Sequence, residues 1–196
     1  MIHSRRYLSK TLIALAGLAF VAGGLSTAQA QEVKKAKLGH SFNESHPRAV
    51  AMKQFAAAVS KATQGKVVID VFGSSMLGSE EKMLIATQGG VQELYMGALA
   101  PIAGRKKEIQ IFDFPFIFGS DAEAAYVLDG PVGRKMLDGL SDMNLHGLVW
   151  SGGAFRNMSN SKRPLQTMAE MKGLKVRVMQ SPMALASFNA MGMNAV

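Results

Sequence analysis

Arg156 and Arg177 stand 21 residues apart in the run GGAFRNMSNSKRPLQTMAEMKGLKVR, and each is placed to hold an acid. A guanidinium is a rigid fork of N–H donors whose spacing matches the oxygens of a carboxylate or phosphate. Arg177 falls in Lys175-Val176-Arg177-Val178, where strand alternation turns the two valines to one face and the arginine to the other. If that face is a cleft the arginine meets a ligand; if it is solvent, Arg177 is an ordinary surface residue. Ser181-Pro182 follows as a helix cap and first turn, and the free N–H groups of a helix start favour an anion. Arg156 lies among Phe155, Asn157, Ser159 and Asn160, a set that suits an oxygen-rich ligand. A polar turn before Pro164 explains the same residues more simply.

Leu38-Gly39-His40-Ser41-Phe42-Asn43 leads from a strand into a helix, and ligands of open α/β sheets bind at the carboxyl ends of strands. His40, Ser41 and Asn43 are therefore candidate polar contacts, although a lone histidine near a strand end is more often structural. His40 and His46 are six apart with only Glu44 nearby. That is neither a helical zinc pair nor a set of three ligands, so no metal site is expected. The chain has no G-x-S-x-G elbow, P-loop or G-x-G-x-x-G, so no cofactor or catalytic constellation is expected either. Glu80 and Glu81 are neighbours that do not face each other on a helix; they suit the positive end of its dipole.

The first thirty residues, 1–30, have the pattern of an export signal. Arg5, Arg6 and Lys10 form a positive start, residues 11–25 are apolar or small, and Ala28-Gln29-Ala30 offers a small-x-small cleavage site. Cleavage there starts the mature chain at Gln31. An apolar stretch of about 15 residues is short of the roughly 20 that a spanning helix needs. With no cysteine, disulfides, thiolate metal sites and a lipid-modified N-terminal cysteine are excluded, and the simplest destination is the periplasm. Setting aside the three signal cations lowers the formal charge from +8 to +5. Only Arg105-Lys106-Lys107 cluster, as a solvated loop rather than the basic stripe with aromatics that binds nucleic acid.

Strands and helices alternate along the mature part. Residues 47–63 place Met52, Phe55, Val59 and Ala62 on one helical face, and the β-branched run 67–72 is a strand. Ser79 caps a helix that Gly89 closes. Residues 91–96 make a weaker strand, and 109–119 read as a strand running into a turn because Pro115 cannot sit in a central strand. Ser120-x-x-Glu123 is a capping box before a helix ending near Gly130, and Pro131 starts another that runs to about residue 140. Strands are expected at 145–150 and 175–178, a short helix after Thr167-x-x-Glu170, a helix from Ser181 to about Met191, and the beginning of a further strand at 192–196. This is an α/β chain.

The order of short patterns resembles the extracytoplasmic solute-binding subunit of TRAP (tripartite ATP-independent periplasmic) transporters, the dicarboxylate-receptor or DctP-type family. The matching pieces are Gly65-Lys66-Val67, Ser74-Ser75-Met76-Leu77-Gly78, Phe112-Asp113-Phe114-Pro115-Phe116, Gly130-Pro131-Val132-Gly133, Arg156-Asn157-Met158-Ser159-Asn160 with Arg163-Pro164, and Met171-Lys172-Gly173-Leu174-Lys175-Val176-Arg177. They cover essentially the whole mature chain. The resemblance implies a periplasmic binding protein type II-like fold, two α/β domains around a ligand cleft, with 31–150 as the first domain and 151–196 as the start of a second. It implies a monomeric receptor that captures an organic acid and delivers it to membrane subunits without catalysis. Arg177 then pairs with the ligand carboxylate, Arg156 and Asn160 add polar contacts, and His40, Ser41 and Asn43 line the same cleft. Members of the family are longer, so the second domain is expected to be incomplete at Val196. Two other classes stay open: an exported enzyme acting on an anionic substrate, with His40, Glu44 and His46 as remote bases, and a binding protein of an ABC importer or sensor kinase.

Overall fold

A computed structural model describes residues 32–152 and 155–196, and the segment read as an export signal lies outside them. Residues Lys34–Val196 form one compact unit built on parallel strands, as the α/β alternation predicts. The first strand, β1 (Lys34–His40), lies between β2 (Val67–Phe72) and β3 (Leu94–Met96). Lys34 pairs with Val67 and Gly39 with Phe72, whereas β3 meets only the end of β1, from Leu38↔Leu94 to His40↔Met96. Burial follows this pairing: the lysine-rich start of β1 is exposed, and Leu38, Gly39 and His40, flanked on both sides, are buried.

Helix α1 (Pro47–Ala62) joins β1 to β2. Its inward stripe is Ala49, Met52, Ala56 and Val59, and Phe55, expected inside, sits at the edge with 37% of its surface exposed. Its cap is His46, whose Nδ1 accepts the Arg48 N–H at 3.1 Å. Helix α2 (Glu80–Gln88) begins under Ser79 as expected and sets Met83 and Leu84 into the core. The predicted strand at 91–96 shortens to β3, because the chain first folds back on α2 through Val91 and Gln92 N–H bonds to Ala86 C=O.

A second layer follows. Helix α3 (Ala100–Ala103) runs into a 3₁₀ helix, Lys107–Asp113, where a strand had been expected. The 3₁₀ repeat stacks residues three apart, which puts Ile109 in the core and turns Phe112 onto Trp150, ring centroids 5.6 Å apart. Helices α4 (Asp121–Asp129) and α5 (Pro131–Asp138) come next, then a 3₁₀ turn, Gly139–Met143, that ends α5 earlier than expected. Ser120 Oγ accepts the Glu123 N–H at 3.1 Å, but the Glu123 carboxylate returns to the Gly119 N–H at 2.8 Å, one residue short of a full capping box.

Ala103, Ile109, Leu137 and Leu140 form the core here, with Leu99, Ile102, Met143, Leu145 and Trp150 packed on it. The expected strand at 145–150 is extended but unpaired, since no described strand runs beside it; Leu145 and Trp150 anchor it while Leu148 and Val149 stay exposed. The basic run lies in a turn with Arg105 and Lys107 exposed, as expected, but two of its cations are engaged. Arg105 pairs with Glu81 at 3.0 Å, and Lys106, mostly buried, reaches Asp142 and the Gly139 carbonyl, because these cations bridge the two layers.

The chain ends in a small parallel pair. Helix α6 (Met168–Met171) opens with Glu170 accepting from the Gln166 and Thr167 N–H groups, which hold its carboxyl below the usual range. Strand β4 (Lys175–Val176) passes through residues 177–181 into α7 (Pro182–Ala190), and β5 (Asn194–Ala195) returns beside β4. The beginning of a strand expected at 192–196 is thus present.

Candidate ligand-binding site

Arg177 leaves the end of β4 with its side chain exposed. Strand alternation sends Val178 inward, where it is buried, and turns Arg177 outward, as the sequence pattern implies. The guanidinium lines a concavity of about 200 Å³ with Val178, Met179, Gln180, Leu185 and Val196. Its one described side-chain contact is the Met179 sulfur at 3.8 Å, and among the described residues no carboxylate pairs with it. Ser181, fully buried, caps α7 through Oγ and the Ala184 N–H at 3.4 Å. An acid reaching this rim meets a fork of donors on a mixed apolar and polar wall.

A second polar group gathers at the carboxyl ends of β1 and β3. The Ser41 hydroxyl donates to Glu80 Oε1, the Ala98 N–H to Oε2 at 2.9 Å, and the Tyr95 hydroxyl to Oε2 at 3.4 Å. Burial and the Glu80 charge push the Tyr95 hydroxyl well above the ordinary tyrosine range. His40 is fully buried, and neither ring nitrogen has a hydrogen-bond partner. Desolvation lowers its pKa below the usual value, opposed by the neighbouring Glu44. The turn after β2 closes over this end: the Ser75 N–H donates to the His40 carbonyl at 3.1 Å and the Ser74 N–H to that of Phe42 at 2.9 Å. Both serines sit at positive φ, 50° and 59°. Gly73 is needed there, since a Cβ would lie 2.8 Å from His40 Cε1 and 2.6 Å from Glu44 Oε1.

Asn43 is spent locally, its Oδ1 accepting from the Ser45 hydroxyl at 3.1 Å. Asn160 is likewise turned into its own loop, accepting the Lys162 and Arg163 N–H groups at 2.9 and 3.0 Å. Arg156 is exposed, without an acidic partner among the described residues. One contact draws its segment toward β1, and sequence reasoning missed the residue responsible: Arg48, in the first turn of α1, donates to the Gly152 carbonyl and lies 5.4 Å over the Phe42 ring. Phe42 in turn stacks on His46 at 4.6 Å. The structure so brings His40, Ser41 and the start of the Arg156 segment to one end of the sheet, and sets Arg177 on a rim of its own. Glu80 and Tyr95 were also missed; Glu80 was given only a dipole role, and its three donors come from distant parts of the chain. Among the described residues, no group of three or more metal-ligating side chains converges.

The description bacterial extracellular solute-binding protein, family 7, belongs to the family model that matches residues 38–196. A solute-binding protein of Verminephrobacter eiseniae is 36% identical over 167 residues, 85% of this chain and 49% of that protein. The 2,3-diketo-L-gulonate-binding periplasmic protein of Escherichia coli is 31% identical over 182 residues, 93% of this chain and 54% of that protein. The crystal structure of a sugar acid binding protein from Advenella mimigardefordensis, in complex with galactonate, matches with a TM-score of 0.79 at 36% identity, covering 84% of this chain and 53% of that one. The chain spans about half the length of the relatives it matches. Its fold is the type II-like α/β fold of TRAP periplasmic binding proteins, and the chain belongs to the family 7 extracellular solute-binding proteins.

Proposed function

We propose that this chain belongs to a periplasmic receptor of a TRAP-type transporter, which captures an organic acid through Arg177 and presents it, unchanged, to membrane subunits. The observation that carries this reading is the exposed guanidinium of Arg177 on a concave rim, with no carboxylate paired to it among the described residues. Arg156 is its proposed helper, with His40, Ser41, Asn43 and Asn160 as further polar contacts. The two sheets are taken as the starts of two lobes, divided near residue 150, and the receptor as a monomer exported by a signal cleaved near Ala30. Two relatives point the same way: the named proteins bind a diketogulonate and a sugar acid, both anions rich in oxygen. Among the described residues no helix is long and apolar enough to cross a membrane.

The test is calorimetry on the whole protein that carries this sequence. A buried carboxylate that loses its charged partner costs about 2 to 5 kcal/mol, so Arg177→Ala is expected to weaken binding of the captured acid about thirtyfold to several-thousandfold. Unchanged affinity would remove the clamp. A ligand at about 100 times its dissociation constant adds about 2.7 kcal/mol of stability, so a thermal-shift panel of acids finds the ligand, and recovery of that ligand unaltered separates a receptor from an enzyme.

A further inference from the structure

We propose that Met179 is an oxidation site that governs binding, an inference that rests on the reading of Arg177 as the clamp: a peroxide or hypochlorous acid converts the Met179 thioether to a sulfoxide, and the new oxygen takes the Arg177 guanidinium away from the captured acid.

The chain has no cysteine and 14 methionines, so two-electron oxidation of its sulfur falls on thioethers. At Met179 that chemistry has a consequence. Its sulfur is the one described side-chain contact of Arg177, 3.8 Å from Nη1, and both side chains line the same concavity. The backbone holds them side by side. Val178, between them, is buried with its N–H on the Val196 carbonyl at 2.9 Å, and the Ser181 N–H closes back on the Met179 carbonyl at 2.7 Å. Met179 is only half-buried, open to a small oxidant, whereas Met83 is sealed in the core.

The oxidation balances without a further group. A sulfur lone pair attacks one oxygen of hydrogen peroxide, the O–O bond breaks, the sulfur gives up two electrons, and the second oxygen leaves as water with both protons. A thioether is a weak acceptor; the sulfoxide is polar, and a bond to its oxygen from a charged guanidinium is of the stronger, charge-assisted kind. An arriving carboxylate must then displace an internal partner from the same fork. Of the other side chains lining the concavity, Gln180 alone carries a donor, and that donor is uncharged. Enzymatic reduction of the sulfoxide returns the thioether, which makes the change reversible.

The test treats the whole protein carrying this sequence with hydrogen peroxide, locates the sulfoxides by mass spectrometry, and titrates galactonate and succinate before and after by calorimetry. Competition from a charge-assisted bond is expected to weaken whichever acid binds by about tenfold or more, and a methionine sulfoxide reductase to restore it. Met76 and Met168, 71% and 58% exposed, oxidise as well, so Met179→Leu, a swap that nearly conserves volume, is treated in parallel and is expected to keep its affinity. Phenylglyoxal, which labels free guanidinium groups, supplies a readout without any acid: Arg177 is expected to react more slowly once Met179 is oxidised. Met179 left unoxidised, an affinity unchanged by its oxidation, an equal loss in Met179→Leu, or unaltered labelling of Arg177 overturns this inference and leaves the receptor standing. Arg177→Ala that binds as tightly as wild type overturns both. If neither acid binds, the labelling decides.

Discussion

His40 sets a pH dependence that can be worked out from its surroundings. Burial penalises the charged ring and lowers its pKa from 6.5; Glu44 and the Phe42 backbone pull the other way. Above about 6.5 the ring is neutral in both folded and unfolded chains, and it costs nothing. As the pH falls below that value the unfolded chain takes up a proton that the folded chain refuses, so stability falls. The urea midpoint is expected to drop between about pH 7.5 and about pH 5.5, and His40→Phe to flatten that slope. An acid slope identical in the variant would assign the loss to other groups. The carboxyls of Glu44 and Glu170, held below their usual 4.5 by Lys53 and by backbone N–H groups, are shifted in the same direction, and the stability they contribute is likewise lost as the pH falls, but only further into acid.

Caps and corners were the most legible elements, since their chemistry is local. Ser79, Ser120, Thr167 and Ser181 each precede a helix in the structure, as turn and cap preferences predict. Ser181→Ala removes a buried cap and is expected to cost about 1 kcal/mol in urea unfolding; a loss near zero would mean that α7 is held by packing alone. The Gly130-Pro131-Val132-Gly133 motif acquires its physical reason from the α4–α5 corner. A Cβ on Gly133 would come to 1.8 Å from the Leu128 carbonyl, so Gly133→Ala must push the two helices apart, at about 1 to 3 kcal/mol. Thermal melting checks it, and a melting point equal to wild type would refute the close approach. Two apolar runs were misread, 109–119 and 145–150. An apolar run lacks a period that distinguishes strand from tight helix, and the choice fell to Ile109 and Phe112, which fill a core only when stacked three apart.

Across the whole unit, the layer of Ala103, Ile109, Leu137 and Leu140 ties the helical half together. Ile109→Ala is expected to destabilise it by about 2 to 5 kcal/mol, and Trp150, the single tryptophan and packed on this layer, reports the loss as an earlier fluorescence transition. Stability within about 1 kcal/mol of wild type would show that the layer collapses around the gap. Sequence alone determined the α/β class, most helix starts, the outward face of Arg177 just past a strand that proved shorter than the 175–178 expected, and the ordered motifs of the family, because caps, alternation and short motifs are properties of neighbouring residues. Only the tertiary structure decided that Arg48 would tie Gly152 to the first strand's loop, that Glu80 would collect Ser41, Tyr95 and Ala98, and that His40 would be sealed with both nitrogens empty. Those contacts join residues up to 104 positions apart. Their partners are chosen by the parallel register of β1, β2 and β3, which no local stretch of sequence encodes.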